Sequence, residues 1–170
     1  FALTLGARWY DIEVDLEGSA NSSFFNLYQD SDLQLAGTNI SAQFAPNNSL
    51  GAPDKAATDG FIYKVTGNWT PTDDLLFFAT YSEGFRPGLL NRPGGAAGPN
   101  GFTVPYALDT DDVKNYELGW KTELFDNSLR LNGSAFFVKI DNLQTTIFDP
   151  SITNLFFSDN AANAEIKGVE

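Results

Sequence analysis

Carboxylates are the most abundant side chains capable of acid, base or metal chemistry in this 170-residue sequence, which has 22 Asp and Glu but no Cys and no His. Without Cys and His the chain lacks a thiol nucleophile, a Cys-based zinc site and the commonest catalytic base. Glu117 and Glu123 share a predicted strand, but they lie too far apart along it to act directly as an acid and base pair. The sequence therefore predicts no enzyme activity, no catalytic residue, no cofactor and no metal site.

The charge balance is strongly acidic, because 22 Asp and Glu outnumber 10 Lys and Arg and give a net charge of -12 at pH 7. Such a chain repels the phosphates of nucleic acids, so we expect no nucleic-acid partner. Five acids in the predicted links could chelate calcium through several oxygens. They are Asp30, Asp32, Asp109, Asp111 and Asp112. Their spacing matches no complete calcium-binding loop, and we expect them to be solvated.

Apolar residues alternate with polar or small residues over much of the chain, which predicts β-strands with one apolar face. The alternating runs are residues 1–9, 61–70, 75–86, 113–124 and 129–140, followed by a shorter run from residue 163. A change of phase near Phe136 in the fifth run predicts a β-bulge there. Aromatic residues make up 14% of the chain, and they suit such strands. The pattern predicts an all-β fold of about six strands.

The links between these strands alternate between long and short. Short turns at residues 71–74 and 125–128 separate longer segments at about 15–59, 87–112 and 149–162. A compact soluble domain rarely holds structureless links of such length. Outer-membrane barrels have short periplasmic turns at one rim and long extracellular loops at the other. We therefore predict a segment of an antiparallel up-and-down transmembrane β-barrel.

The two faces of the predicted strands would meet different surroundings. Charged side chains such as Glu117 must face water, because an unpaired charge buried in an apolar core is costly. We expect a structural ionic network in the barrel lumen, assigned by parity to Asn115, Glu117, Lys121, Glu165 and Lys167. Girdle positions at the two interfaces with outer-membrane lipid would be held by Trp69 and Leu75 at one end and by Trp9, Tyr10 and Phe85 at the other.

Four segments resemble motifs of the TonB-dependent receptor family. They are Tyr81 to Arg92 (YSEGFRPGLLNR), Asn115 to Lys121 (NYELGWK), Ala135 to Gln144 (AFFVKIDNLQ) and Asn160 to Glu170 (NAANAEIKGVE). They follow the family's order over roughly residues 75–170, whereas residues 1–60 are supported by alternation alone. In the first segment Pro87 cannot donate to a strand ladder, so it marks where pairing ends.

The resemblance implies an outer-membrane protein of a Gram-negative bacterium, with a plug domain inside a 22-stranded barrel. It would import a scarce nutrient, such as a ferric siderophore, haem, cobalamin or a glycan, with energy delivered through the TonB complex. The chain begins with Phe1 and ends in a strand-like run at Glu170. We therefore expect residues 1–170 to be part of the barrel domain, without the plug, the TonB-contacting segment or the C-terminal strand.

Ligand contacts in such a receptor would come from the extracellular loops, where aromatic rings can stack on a siderophore or sugar and Arg can pair with carboxylates. The candidates are Phe24, Phe25, Tyr28, Arg92, Phe102, Tyr106, Phe148 and Phe156. Packing within the loop is the competing explanation for each of them.

Two other functions fit parts of the pattern. A passive porin or structural outer-membrane barrel would share the alternating strands and the unequal links. A secreted β-sandwich binding module would share the strands but would bury its aromatic residues between two sheets. The polar second face of each strand and the unequal links favour a barrel over a sandwich.

Overall fold

The computed structural model describes residues 1–15, 55–91, 94–95, 97–126, 128–149, 151–152 and 156–170. Within them six antiparallel strands form one sheet in chain order. The strands are β1 Ala2–Asp15, β2 Lys55–Thr72, β3 Leu75–Arg86, β4 Asp111–Leu124, β5 Leu129–Ile147 and β6 Phe157–Val169, with one turn of 3-10 helix at Pro99–Gly101. The all-β, up-and-down prediction is confirmed. In the described part of the chain, no helix is long and apolar enough to cross a membrane.

The register of the five ladders assigns the paired strand residues to one face of the sheet or the other, because directly paired side chains point to the same side. One cross-strand row is entirely apolar or small and comprises Leu3, Gly67, Ala79, Leu118, Ala135 and Val169. The adjacent row comprises Thr4, Thr66, Thr80, Glu117, Phe136 and Gly168. The sheet therefore has an apolar face and a more polar face.

The two predicted short turns lie at one end of the sheet. Residues 73–74 join β2 to β3, and residues 125–128 join β4 to β5. Phe125 and Asp126 both have a φ of 53°, in the left-handed region that hairpin turns often use. The longer links therefore share the opposite end, which we call the outer end.

The bulge predicted near Phe136 is wrong, because the β4–β5 ladder is uninterrupted from the Asp112–Asp141 pair to the Leu124–Leu129 pair. The irregularity lies further along β5, where the β5–β6 register shifts between Ile140 and Gln144. Asn142, inside this interval, has a φ of 56°, which Asn tolerates better than most residues. The apolar Phe136 lies on the polar face, where its ring covers Gly168.

Four strand glycines face an aromatic ring on the directly paired residue of the neighbouring strand. The pairs are Gly60 with Tyr10, Gly119 with Phe78, Gly133 with Trp120 and Gly168 with Phe136. A Cβ on any of these glycines would collide with the ring. Each ring therefore lies across the backbone of the next strand, and this packing helps to fix the register.

A small apolar core lies at the outer end rather than within the sheet. Val104, Ile152 and Phe157 form this core, and Phe102 and Ile147 pack against it. Val104 comes from segment 87–110, Ile152 from segment 148–156, and Phe157 opens β6. The two segments are therefore joined by a core of their own.

Replacing Gly119 with Val tests the packing of rings over glycines. An added Cβ would lie 2.5 Å from Cζ of Phe78 and 2.7 Å from the carbonyl oxygen of Gly133, so we expect G119V to destabilise the intact protein by about 1–3 kcal/mol. Urea unfolding followed by tryptophan fluorescence measures this change. The matched control is G67V, since no atom lies within 4 Å of an added Cβ at Gly67. Equal losses in the two variants would show that the ring contact does not matter.

Candidate functional site

The apolar face of the sheet is exposed. Leu3 and Leu118, near its centre, are 68% and 64% exposed. A β-sandwich buries such a face against a second sheet about 10 Å away. In the described part of the chain all six strands belong to one sheet, so the sandwich alternative is contradicted.

Two rows of aromatic rings border the centre of this face. Near the short turns Phe1, Trp69 and Phe77 stack in sequence, with ring centroids 5.9 and 5.6 Å apart. Toward the outer end Tyr81, Tyr116 and Phe137 form the second row, with centroids 5.1 and 6.1 Å apart. Leu3, Ala79, Leu118 and Ala135 lie in the cross-strand row between them. The face thus has an aliphatic band between two aromatic borders.

Tyr10 is a correction to the predicted aromatic borders. Trp9 and Trp69 are on the apolar face as predicted, but Tyr10 follows Trp9 directly and so points to the polar face. Its ring covers Gly60 and stacks on Phe85, with centroids 3.6 Å apart. Tyr10 therefore joins β1 to β3 across the intervening strand.

Charged side chains replace apolar ones on the apolar face toward the outer end. On β3, β4 and β5 the first charged residues beyond the aromatic row are Glu83, Lys114 and Lys139. On β6 the charge begins one row earlier, at Lys167, which shares a cross-strand row with Leu5. On β1 it begins only at Asp11, six residues beyond Leu5. The boundary between apolar and charged surface therefore runs obliquely across the strands.

Three of the five residues predicted for a lumenal network share the polar face. Asn115, Glu117 and Lys121 alternate along β4 and lie beside Thr66 and Thr80, whose hydroxyls are 3.1 Å apart. Among the described residues neither Glu117 nor Lys121 takes part in an ion pair. These side chains thus leave their charges available on this face instead of forming a network together.

Glu165 and Lys167 lie on the opposite face, so their assignment to the same surface as Glu117 is wrong. They pair with Lys139 and Phe137 on β5. Lys167 Nζ lies 5.0 Å from the centroid of the Phe137 ring and 3.3 Å from the Glu165 carboxylate. Parity along a single strand cannot reveal the face, because the face is fixed by the pairing with the neighbouring strand.

A polar cavity of about 300 Å³ lies beside the short turns, lined in part by Asp74, Lys121, Glu123 and Arg130. Arg130 Nη2 is 2.6 Å from the Glu123 carboxylate. The backbone N–H of Glu123 donates to the carbonyl of Asp74 at 2.9 Å. The charges of this cavity are largely compensated by one another, and it does not favour a charged ligand.

The outer end of the sheet is tied together by the carboxylate of Asp111. This residue was expected to be solvated, but its side chain is only 4% exposed. Its Oδ2 accepts hydrogen bonds from Nε of Arg86 at 2.9 Å and from Nη2 of the same guanidinium. Arg86 Nη2 also donates to the carbonyl of Gln144 at 2.9 Å. The ion pair is buried because it closes the junction of β3, β4 and β5.

Phe102 and Tyr106, two of the predicted ligand contacts, are engaged within segment 87–110. The ring centroid of Phe102 lies 6.0 Å from that of Phe157, beside the small core. The ring of Tyr106 lies against Gly94 and Gly95, and the residue is 40% exposed. Loop packing explains Phe102, whereas Tyr106 retains an exposed surface.

Phe148 and Phe156 form an exposed aromatic pair at the two ends of segment 148–156. Their ring centroids are 5.0 Å apart, and the residues are 51% and 69% exposed. This pair is the most accessible of the predicted ligand contacts that the structure describes. Phe24, Phe25, Tyr28 and Arg92, and the acids Asp30 and Asp32, lie outside the described residues.

Sequence reasoning missed three carboxamides at the outer end, those of Asn91, Gln144 and Asn160. Each binds backbone groups of residues distant in sequence. All three fall within the segments that carry the family resemblance, which was the available signal. Within the described ranges, no group of three or more acidic, His or Cys residues is arranged to hold a metal ion.

Comparison with known proteins gives two matches of interest. The family described as "TonB dependent receptor-like, beta-barrel" matches residues 1–170. The ferric-pyoverdine 358 receptor of Pseudomonas putida is 30% identical over 172 residues, which cover 95% of this chain and 19% of that protein. The chain therefore spans about a fifth of the length of this relative. No solved structure matches the chain significantly.

Replacing Arg86 with Ala should leave the buried Asp111 carboxylate without its charged partner. Because an unsatisfied buried group costs about 1–3 kcal/mol, we expect a lower urea midpoint and faster proteolysis within segment 87–110. The double variant R86A/D111N should recover part of the loss, since it also removes the uncompensated charge. A double variant that is less stable than R86A by the full cost of a second independent lesion would contradict this coupling.

Proposed function

The chain belongs to the TonB-dependent receptor family, as part of its β-barrel, and on this premise we propose that the intact protein is an outer-membrane receptor that binds and imports a ferric siderophore. Import would draw on the proton-motive force through the TonB complex. Contact with that complex would be made by a plug region outside these 170 residues. The protein would be a transporter and not an enzyme.

The membrane part of the proposal rests on the oblique boundary of the apolar face. The boundary shifts by the six residues between Leu5 and Asp11 over the five strand spacings from β1 to β6. At ~3.3 Å per residue and ~4.8 Å per spacing, this is about 20 Å over 24 Å, an inclination of about 40°. Strands of outer-membrane barrels tilt by roughly 35–45°. A flat bilayer surface crossing tilted strands would produce this oblique line.

The exposed apolar face would then contact outer-membrane lipid, and the polar face would line the lumen. An open sheet leaves unpaired backbone groups that hydrocarbon cannot satisfy, so the strands would have to be closed into a barrel. Asn115, Glu117 and Lys121 would face the lumen, where water or a plug domain could satisfy their polar groups. Charge at the centre of the other face would be destabilising.

The siderophore part of the proposal rests on the exposed ring pair and on the relative. Phe148 and Phe156 present accessible rings at the outer end, next to the partly exposed Tyr106. Rings in this position could stack on the planar groups of a ferric siderophore. The relative from Pseudomonas putida is a ferric-pyoverdine receptor, which favours a siderophore over haem, cobalamin or a glycan.

Uptake of radioactive iron from ferric pyoverdine tests this function directly. In a host lacking its own siderophore receptors, the intact protein should confer saturable uptake that disappears when the TonB complex is deleted. Parallel arms with haem, cobalamin and a glycan should show no uptake. Uptake that persists without an energy source, or an open conductance in planar bilayers, would instead indicate a passive porin.

Replacing both rings of the exposed pair should weaken ligand binding. Stacking of aromatic groups contributes about 0.5–1.5 kcal/mol per contact, so we expect F148A/F156A to raise the Kd for ferric pyoverdine about three- to thirtyfold. Fluorescence quenching of the intact receptor in detergent measures this. The control is F125A, because Phe125 is also exposed but lies at the opposite end of the sheet. The same loss in F125A would contradict a ligand site at the outer end.

A further inference from the structure

Segment 87–110 is folded back on itself between β3 and β4. Its two arms form isolated bridges between Leu90 and Ala107 and between Ala97 and Thr103. The N–H of Asn91 donates to the carbonyl of Tyr106, and that of Gly95 to the carbonyl of Val104, each at 2.8 Å. The described part of the segment is therefore an ordered hairpin-like unit with its own backbone hydrogen bonds.

Asn91 attaches this unit to β6. Its Oδ1 accepts from the N–H of Ser158 at 2.8 Å, and its Nδ2 donates to the carbonyl of Ser158 at 2.8 Å. Nδ2 also donates to the carbonyl of Pro105 on the other arm at 2.8 Å. Asn91 is buried, with 8% exposure. One carboxamide thus pairs with both backbone groups of Ser158, as a neighbouring strand would, and holds the two arms together.

Two further carboxamides attach the base of the segment. Asn160 on β6 accepts from the N–H of Asp109 at 2.8 Å and donates to the Asp109 carbonyl at 2.9 Å. Gln144 on β5 donates through Nε2 to the carbonyls of Pro87 and Asp109 at 3.0 and 3.1 Å. Both stems of segment 87–110 are therefore bound to side chains of β5 and β6, which lie beyond the adjacent strand β4.

We infer that Asn91, with Gln144 and Asn160, is a positioning residue that keeps segment 87–110 docked on β5 and β6 before any ligand arrives. Because Val104 of this segment shares a core with Ile152, the docked segment also braces the link that carries Phe148 and Phe156. The exposed rings are then held in place in advance, so less conformational entropy is lost when a ligand binds. This consequence for binding rests on the proposed function.

Hydrogen exchange of the intact receptor without ligand tests the docking itself. In N91A the amides of Ser158 and Gly95 should exchange at least about tenfold faster, because a buried donor loses its acceptor and the arms lose their link. The matched control is N100G, since Asn100 is an exposed Asn of the same segment whose φ of 55° suits glycine. Exchange in N91A equal to that of wild type or of N100G would overturn the inference.

A second measurement separates positioning from a general loss of structure. If N91A loosens the recognition surface without altering transport, the KM for ferric pyoverdine uptake should rise about three- to tenfold while the maximal rate stays unchanged. A fall in the maximal rate with unchanged KM would overturn the positioning role. Failure of the wild-type receptor to take up ferric pyoverdine would contradict the proposed ligand alone, and the exchange rates would still decide whether Asn91 docks the segment.

Discussion

A slip of one residue in any of the five strand ladders would move Leu3 or Leu118 to the face now occupied by Thr66 and Glu117. The two-faced character of the sheet therefore depends on register, and register depends on backbone pairing together with the rings packed over glycines. The same ladders satisfy the backbone N–H and C=O groups, which a hydrocarbon environment cannot do. One constraint thus gives both a surface suited to lipid and a backbone that can remain in it.

At the outer end the ladders give way to side chains. Pairing between β2 and β3 extends outward only to the Lys64–Ser82 pair. Beyond it, the Glu83 carboxylate accepts from the N–H of Tyr63 at 3.0 Å, and the hydroxyls of Thr58 and Thr110 are 2.9 Å apart. The Arg86–Asp111 pair and the three carboxamides continue this pattern toward β6. Polar side chains therefore determine the shape of the region where a ligand would be met.

Local sequence pattern was sufficient to predict the strands, their order and the ends of the sheet, because alternation and turn chemistry are encoded within a few residues. It failed where the outcome depends on contacts between distant residues. Lys167 was placed on the wrong face because only its pairing with Phe137 reveals the side. Asp111 was expected in solvent because its partner Arg86 lies 25 residues away. The exposed ring pair was among the predicted contacts, but no local signal distinguished it from Phe102, which packs against the core.

Spin-label accessibility along β4 tests the central claim most directly. Single nitroxides at residues 115–121 of the intact receptor in lipid bilayers should show an accessibility to oxygen that alternates with period two. The account predicts maxima at Tyr116, Leu118 and Trp120 and minima at Asn115, Glu117 and Lys121, where a lumenal face excludes lipid. Equal access of a water-soluble nickel complex to both sets, or oxygen maxima at the charged positions, would contradict the claim that this sheet is a membrane-facing barrel wall.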